Sequence, residues 1–384
     1  MTTTKAHVIG GVDAHTDTHD VAALDDHGQL LGNMTFPTTL AGYQALLTWL
    51  EHFGPVKVIG VESTGSYAAG LVRYLRSRDV DTIEVNQPHA HTRRRRGKND
   101  AIDAEMAARQ VLSGNATAIP KLTDGIVESI RQIRLARDSA VKARTAAFNQ
   151  LTELIVTAPD DLREHLMRRK TTRGKTSLCA ALRPDFKRLH EPGQAAKLAL
   201  RSLARRVADL DAEIAALEKQ LAPLVATAAP RTTALIAVST GHAGQLLVTA
   251  GQNIERLHND GAFAALCGAS PIPVSSGRRD RHRLNRGGDR DANRTLHMIA
   301  VCRMRYCDRT RAYATRRLAE GKTKKEIIRC LKRYIARELY HCLSADLADL
   351  AITPSQAPTT RPQRSMSITC GAGFIGRRQI TTAP

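Results

Sequence analysis

The chain has 384 residues, enough for two or three domains, since single domains usually run to about 100–200 residues. Lys and Arg outnumber Asp and Glu by 57 to 37, and the resulting formal charge of +20 makes nucleic acid the leading expected partner. An aromatic fraction of 4% disfavours a surface built on base stacking, and no apolar run approaches the roughly 20 residues that span a bilayer, so no membrane partner is expected.

The pattern begins with the apolar run from His7 to Val12, which reads as a strand delivering Asp13 at its end. His19 to Leu24 and Leu31 to Thr35 read as further strands around the turn Asp25-Asp26-His27-Gly28, and residues 39–52 as a helix. Val56 to Val61 is a buried strand ending at Glu62, followed by a helical pattern through Arg78 and a short strand from Asp81 to Val85. The loop Arg93-Arg94-Arg95-Arg96 leads to a helix over Asp100 to Leu112, completing an α/β domain assigned to residues 1–118.

Residues 119–228 carry two seams. Apolar residues recur from Ile126 at 130, 133, 136, 140, 143, 147, 151 and 154, and again at Leu200, Leu203, Val207, Leu210, Ile214, Leu217, Leu221 and Leu224. These predict long coiled-coil helices that pair within or between chains. Between them, residues 158–195 are polar, basic and without a clear period, which fits a helical tip or a mobile insertion. A mainly α domain is expected over 229–350, and the Thr-, Pro-, Arg- and Gly-rich residues 351–384 read as a disordered tail. The stretch from Arg278 to Arg337 holds 20 Arg and Lys against six Asp and Glu, so much of the excess charge is concentrated there.

Asp13 and Glu62 follow buried strands, while Asp100 and Asp103 lie three apart and share one helix side. Gathering four carboxylates is costly without a cation, because two unit charges 4 Å apart repel by about 4 kcal/mol at an effective dielectric near 20. Oxygen-only ligands favour Mg²⁺, with Mn²⁺ as the alternative, and such a site suits in-line cleavage of phosphodiesters. The competing reading makes Asp100 an ordinary helix N-cap.

The segments GVDAH at 11–15, GVESTGSY at 60–67 and KNDAIDA at 98–104 resemble the DEDD insertion-sequence transposases that carry a RuvC-like domain. The resemblance implies an α/β ribonuclease H-like fold for the N-terminal domain, with Asp13, Glu62, Asp100 and Asp103 as catalytic metal ligands. Residues 262–297, AFAALCGASPIPVSSGRRDRHRLNRGGDRDANRTLH, look like the same family's C-terminal transposase domain, in which the Ser before Gly links covalently to DNA. That points to Ser276, with Ser275 as the alternative. The resemblance further implies a bridge RNA as guide, with element ends and target as DNA partners. The coiled coil fits a dimer or tetramer, and seven cysteines without a CxxC pair, with no apolar signal segment at the N-terminus, fit a reducing, nucleoid-associated bacterial cytoplasm. One departure is Val238-Ser239-Thr240-Gly241-His242-Ala243-Gly244, where many members carry a Pro-Gly-Ile-Gly-like hairpin.

A serine hydroxyl is a weak nucleophile unless its surroundings favour the alkoxide, and Arg278, Arg279, Arg281 and Arg283 supply positive surroundings. With Arg286, Arg290, Arg294 and the Arg93 to Arg96 run they are the expected nucleic-acid contacts. Arg286-Gly287-Gly288-Asp289 fits either a backbone approach to phosphate or a plain loop and cap. The main competing function is a RuvC-like nuclease or junction resolvase that activates water, told apart by the absence of covalent protein–DNA adducts. An actin-like kinase lacks support from a second Gly-rich loop, and a non-catalytic binding protein would show no Mg²⁺-dependent cleavage.

Overall fold

The computed structural model describes residues 7–85, 99–274, 277 and 282–352. The expectations for Arg93 to Arg96, Ser275, Ser276, Arg278, Arg279, Arg281 and the tail from Thr353 fall outside the described residues.

The N-terminal region is a five-stranded mixed sheet with helices on both sides. Strands β1 (Val8–Ala14), β2 (Thr18–Leu24) and β3 (Leu30–Pro37) form an antiparallel meander, and helix α1 (Leu40–Phe53) returns the chain to β4 (Val56–Val61). Helix α2 (Ala69–Arg76) then leads to β5 (Thr82–Glu84), and the sheet order is β3-β2-β1-β4-β5 with β1, β4 and β5 parallel. The β2–β3 turn forms where Asp25 Oδ1 accepts from the backbone of His27 and Gln29, and Gly28 takes φ +82°. One face of the sheet packs Val12, Val21, Ile59 and Val61 against Leu46, Leu50, Leu71 and Leu75 of α1 and α2. The other face carries helix α3 (Asp100–Leu112), whose Ala104, Ala107 and Ala108 are fully buried.

Helices α4 (Gly125–Thr157) and α7 (Pro192–Ala228) pair within the chain, so the two predicted seams meet each other. The first seam departs from its expected course. Ala136 and Ala143 are exposed, while the half-buried Arg137 and Arg144 lie one residue along and bind Glu218 and Asp211 of α7 at 2.6 and 2.8 Å. Alanine is too short to bridge the two helices here, whereas an arginine stem covers the seam and carries its charge to an acid on the far side.

Residues 158–195 are a folded helical tip. Helices α5 (Asp160–Met167) and α6 (Thr172–Ala180) and a single 3-10 turn at Phe186–Arg188 close over a core of Leu151, Ile155, Leu162, Leu166, Cys179 and Leu200. Its buried residues from the two short helices are Leu162 and Leu166 of α5 and Cys179 of α6, too few in either helix to show a period.

The C-terminal region is mainly helical: α8 (Pro230–Thr233), α9 (Thr240–Ala250), α10 (Asp260–Leu266), α11 (Arg290–Tyr306), α12 (Asp308–Ala319) and α13 (Lys324–Ile352). The base of the hairpin belongs to its core, since Val127 and Ile130 of α4 and Leu221 and Val225 of α7 pack with Phe263, Leu296 and Leu339. Residues 118–124 join this core to the sheet. Glu84 donates its amide to Ala118 at 2.7 Å, Asn253 bonds Pro120 and Leu122, and Arg76 pairs with Asp124 at 3.0 Å. Among the described residues no helix is long and apolar enough to cross a membrane.

Candidate active site

Two three-residue segments set the first two carboxylates on neighbouring strands. Gly11-Val12-Asp13 on β1 and Gly60-Val61-Glu62 on β4 run side by side in parallel register, with Gly11 opposite Gly60 and Val12 opposite Val61. Each glycine lies under α3. A Cβ added at Gly11 would come within 2.1 Å of the Ala104 carbonyl oxygen, and one at Gly60 within 2.6 Å of Val111 Cγ2. Each valine points into the opposite core. Side chains alternate along a strand, so the acid two residues beyond each glycine faces the helix side again. Asp13 is inside β1 rather than past its end as expected, cross-strand from Asp20, whereas Glu62 follows the last residue of β4.

Helix α3 supplies the other pair from its first turn. Asn99, not Asp100, is the N-cap, accepting from the amide of Ala101 at 3.0 Å, so capping does not account for the two acids. The helix is held in place by Arg109, whose guanidinium binds Glu105 and the Gly28 carbonyl oxygen at 3.1 Å. Its positive N-terminal end favours negative charge at this spot.

Asp13, Glu62 and Asp103 are buried, and Asp100 is partly exposed. Burial pushes the Asp13 carboxyl above its ordinary range, the neighbouring His15 opposes that, and the negative charges of Asp103, Asp100 and Asp20 push it further up. Asp20 stands outside the predicted set yet adds to the same field. Its Oδ1 accepts from Thr35 Oγ1 at 2.5 Å.

Sequence reasoning missed His15. Its Nε2 lies 3.4 Å from Asp13 Oδ2 and 3.5 Å from Asp100 Oδ2, is shielded from solvent, and has no hydrogen bond of ordinary geometry. One ligand atom each from Asp13, His15 and Asp100 fall within 4.8 Å of one another, a spacing that suits a shared cation. The signal was the two-residue spacing of Asp13 and His15, which puts both on one side of the strand end. An imidazole nitrogen strengthens binding of borderline metals more than of Mg²⁺. His15→Ala should therefore weaken Mn²⁺ or Co²⁺ binding by tenfold or more while changing Mg²⁺ binding less, as read by competitive metal titration.

The second candidate region surrounds the serine loop. Its base is pinned on both sides: β6 (Ile272–Pro273) pairs with β7 (His282–Arg283), and Asn293 Nδ2 donates to the carbonyls of Cys267 and Gly268 at 2.9 and 3.0 Å. Lys332 Nζ donates in turn to Asn293 Oδ1 at 2.7 Å. Gly288 serves this packing, since an added Cβ would lie 2.2 Å from the Gly268 amide nitrogen, and Asp289 caps α11 through the amides of Asp291 and Ala292. Of the two readings of Arg286 to Asp289, the loop and cap describes these contacts. Arg283, Arg286, Arg290 and Arg294 are exposed around the base, with Arg294 paired to Asp291 at 3.2 Å. Cys267, the thiol closest in sequence to the loop, is fully buried and pushed up to about 12, so it is no rival nucleophile. Ser239 starts α9 with a capping box to His242.

Residues 10–158 match the DEDD transposase family of IS110 elements, and residues 234–315 match the transposase IS116/IS110/IS902 family. No curated protein matches the chain. The first family implies use of a divalent metal, and the acids described above lie within its matched span. The chain therefore carries both the N-terminal DEDD domain and the C-terminal domain of IS110-type transposases, and it is a DNA transposase.

Proposed function

We propose that this transposase cuts and rejoins the DNA of a mobile element through a composite site. Asp13, Glu62, Asp100 and Asp103, with His15 beside them, hold Mg²⁺ or Mn²⁺ on one domain, and Ser276 comes from the other. The observation that carries this reading is that Asp13 on β1 and Asp100 on α3, with His15, put ligand atoms within 4.8 Å of one another, with Glu62 on the adjoining strand and the charge of Asp103 acting on Asp13. The sheet order, with its antiparallel meander and parallel extension, supports a RuvC-like, ribonuclease H-like domain over residues 1–118. Residues 119–228 then form the coiled-coil region with its insertion, and residues 229–350 the serine domain.

A bound divalent cation supplies Lewis-acid stabilisation of charge on the phosphate oxygens. The chain's own groups do the rest. Ser276 Oγ attacks phosphorus in line as its proton passes to a nearby base or water. A serine–phosphate bond forms, the phosphorus–oxygen bond to one deoxyribose breaks, and the released sugar oxygen takes up a proton. No phosphoester bond is lost overall, so the reverse attack by a sugar hydroxyl rejoins DNA without an added energy source. Arg283 and Arg286, with Arg278, Arg279 and Arg281, neutralise the phosphate as negative charge builds. A bridge RNA selects the element ends and target, and a dimer or tetramer in the nucleoid-associated cytoplasm brings two such sites together.

The test is to purify the protein with its bound RNA, sequence that RNA, and incubate the complex with matching DNA and Mg²⁺. A denaturing gel should show a covalent protein–DNA adduct that Ser276→Ala abolishes. Cleavage without any adduct would favour water as the nucleophile, and an adduct surviving Ser276→Ala would move the role to Ser275.

A further inference from the structure

The helical tip of the hairpin differs in charge from the stalk that bears it. Residues 158–206 hold 13 Arg and Lys against five Asp and Glu, whereas the stalk, residues 125–157 with 207–228, holds six against seven. Stalk arginines are matched to acids, as in Arg131 with Glu128 at 2.7 Å, Arg137 with Glu218 at 2.6 Å and Arg144 with Asp211 at 2.8 Å. In the tip, among the described residues, Arg188 with Glu191 is the one such arginine pair, and no lysine has one. A folded cap of this size that leaves its cations unmatched repels itself, a cost that an external polyanion removes.

The unmatched charge has a defined focus. On α7 the core side of the helix is Leu200, Ala204 and Val207, and the opposite side, Leu198, Arg201, Ser202, Arg205, Arg206 and Asp209, lines a groove of about 440 Å³. Three guanidinium groups face one acid there. Arg201 is also ordered from outside, its guanidinium carbon sitting 5.8 Å from the centre of the exposed Phe186 ring. Such a cation–π contact holds the arginine extended and lowers the entropy lost when it meets a phosphate. The stripe runs over 12 residues from Leu198 to Asp209, about 17 Å for its 11 steps of 1.5 Å.

We infer that this face of the tip is a docking surface for the sugar–phosphate backbone of duplex DNA, remote from the carboxylate site. Duplex DNA is the occupant because the chain is a DNA transposase and the groove lining is three guanidinium groups, the one ring beside it, Phe186, being engaged by Arg201. Asp209 and Leu198 lie 19 and 30 residues from the end of α7 at Ala228, about 28 and 45 Å along its axis, so the contact lies well up the hairpin from its base. It reads no sequence. Its work is to hold and orient flanking DNA, independently of whether Ser276 or water is the nucleophile.

The test uses the full-length protein in EDTA, where no cutting occurs, and a labelled random-sequence duplex of about 40 bp. Binding is followed by fluorescence anisotropy across a salt series. The triple variant Arg201→Ala, Arg205→Ala, Arg206→Ala should bind about tenfold or more weakly near 0.1 M salt. Its slope of log affinity against log salt should be shallower by about 2.7, since each phosphate contact contributes about 0.9. The corresponding triple Lys variant should restore most of both, which separates lost charge from lost folding. An unchanged slope in the triple Ala variant overturns the inference. So does intact DNA binding with loss confined to a duplex RNA of the same length, which would make the tip an RNA contact. Failure of the serine reading, seen as absent adducts in Mg²⁺, leaves this measurement unaffected.

Discussion

Asp13→Asn should lower Mg²⁺-dependent strand cleavage by on the order of 10³-fold, because a metal centre supplies several kcal/mol of transition-state stabilisation and each 1.36 kcal/mol is tenfold in rate. The same substitution should leave the metal-free protein at least as stable as the wild type. Asp13 is buried, its carboxyl is held above its ordinary range, and Asp103, Asp100 and Asp20 all act on it in the same direction. Removing one of the repelling charges relieves on the order of 1 kcal/mol at an effective dielectric near 20. Thermal unfolding separates the two effects. In EDTA the variant melts no lower than wild type, while saturating Mg²⁺ stabilises only the wild type, by about 2.7 kcal/mol at one hundred times the dissociation constant. A variant that melts well below wild type in EDTA would mean that Asp13 is a structural residue.

Gly11→Ala carries the largest expected structural effect. Its new Cβ meets backbone, at 2.1 Å from the Ala104 carbonyl oxygen and 2.4 Å from the Ala108 amide nitrogen, so no rotamer change relieves the clash. Helix α3 must lift from the sheet, carrying Asp100 and Asp103 away from Asp13 and Glu62. Overpacking of this kind costs about 3 kcal/mol or more, and metal binding should fall with it. Gly65→Ala is the matched control, since nothing lies within 4 Å of its added Cβ. Denaturant unfolding and a metal titration on both variants check the pair. Equal stability of Gly11→Ala and wild type would contradict the close approach of helix and sheet.

These two effects explain why so much of the carboxylate site was legible beforehand. Gly-Val-Asp and Gly-Val-Glu each spell out a close approach, a core contact and an acid in strand alternation, and Asn99-Asp100 marks a helix start. The paired acids could be located because strand and helix periods are local properties. His15 was not recognised, since its role depends on Asp100 arriving from 85 residues away. The tip was equally opaque: Leu166, Cys179 and Leu200 are each unremarkable in their own segments and become a core only when three elements meet. At Arg137 and Arg144 the apolar seam was read one residue early, because a charged side chain with a long stem does the covering there.

The central claim is that the sheet and α3 together form a divalent-metal site. Mn²⁺ titration followed by electron paramagnetic resonance tests it most directly, on the full chain and on Asp13→Asn and Asp103→Asn. The wild type should bind Mn²⁺ saturably, displaced by Mg²⁺, and each variant should lose at least tenfold in affinity. Mn²⁺ binding that is unchanged in both variants would contradict it.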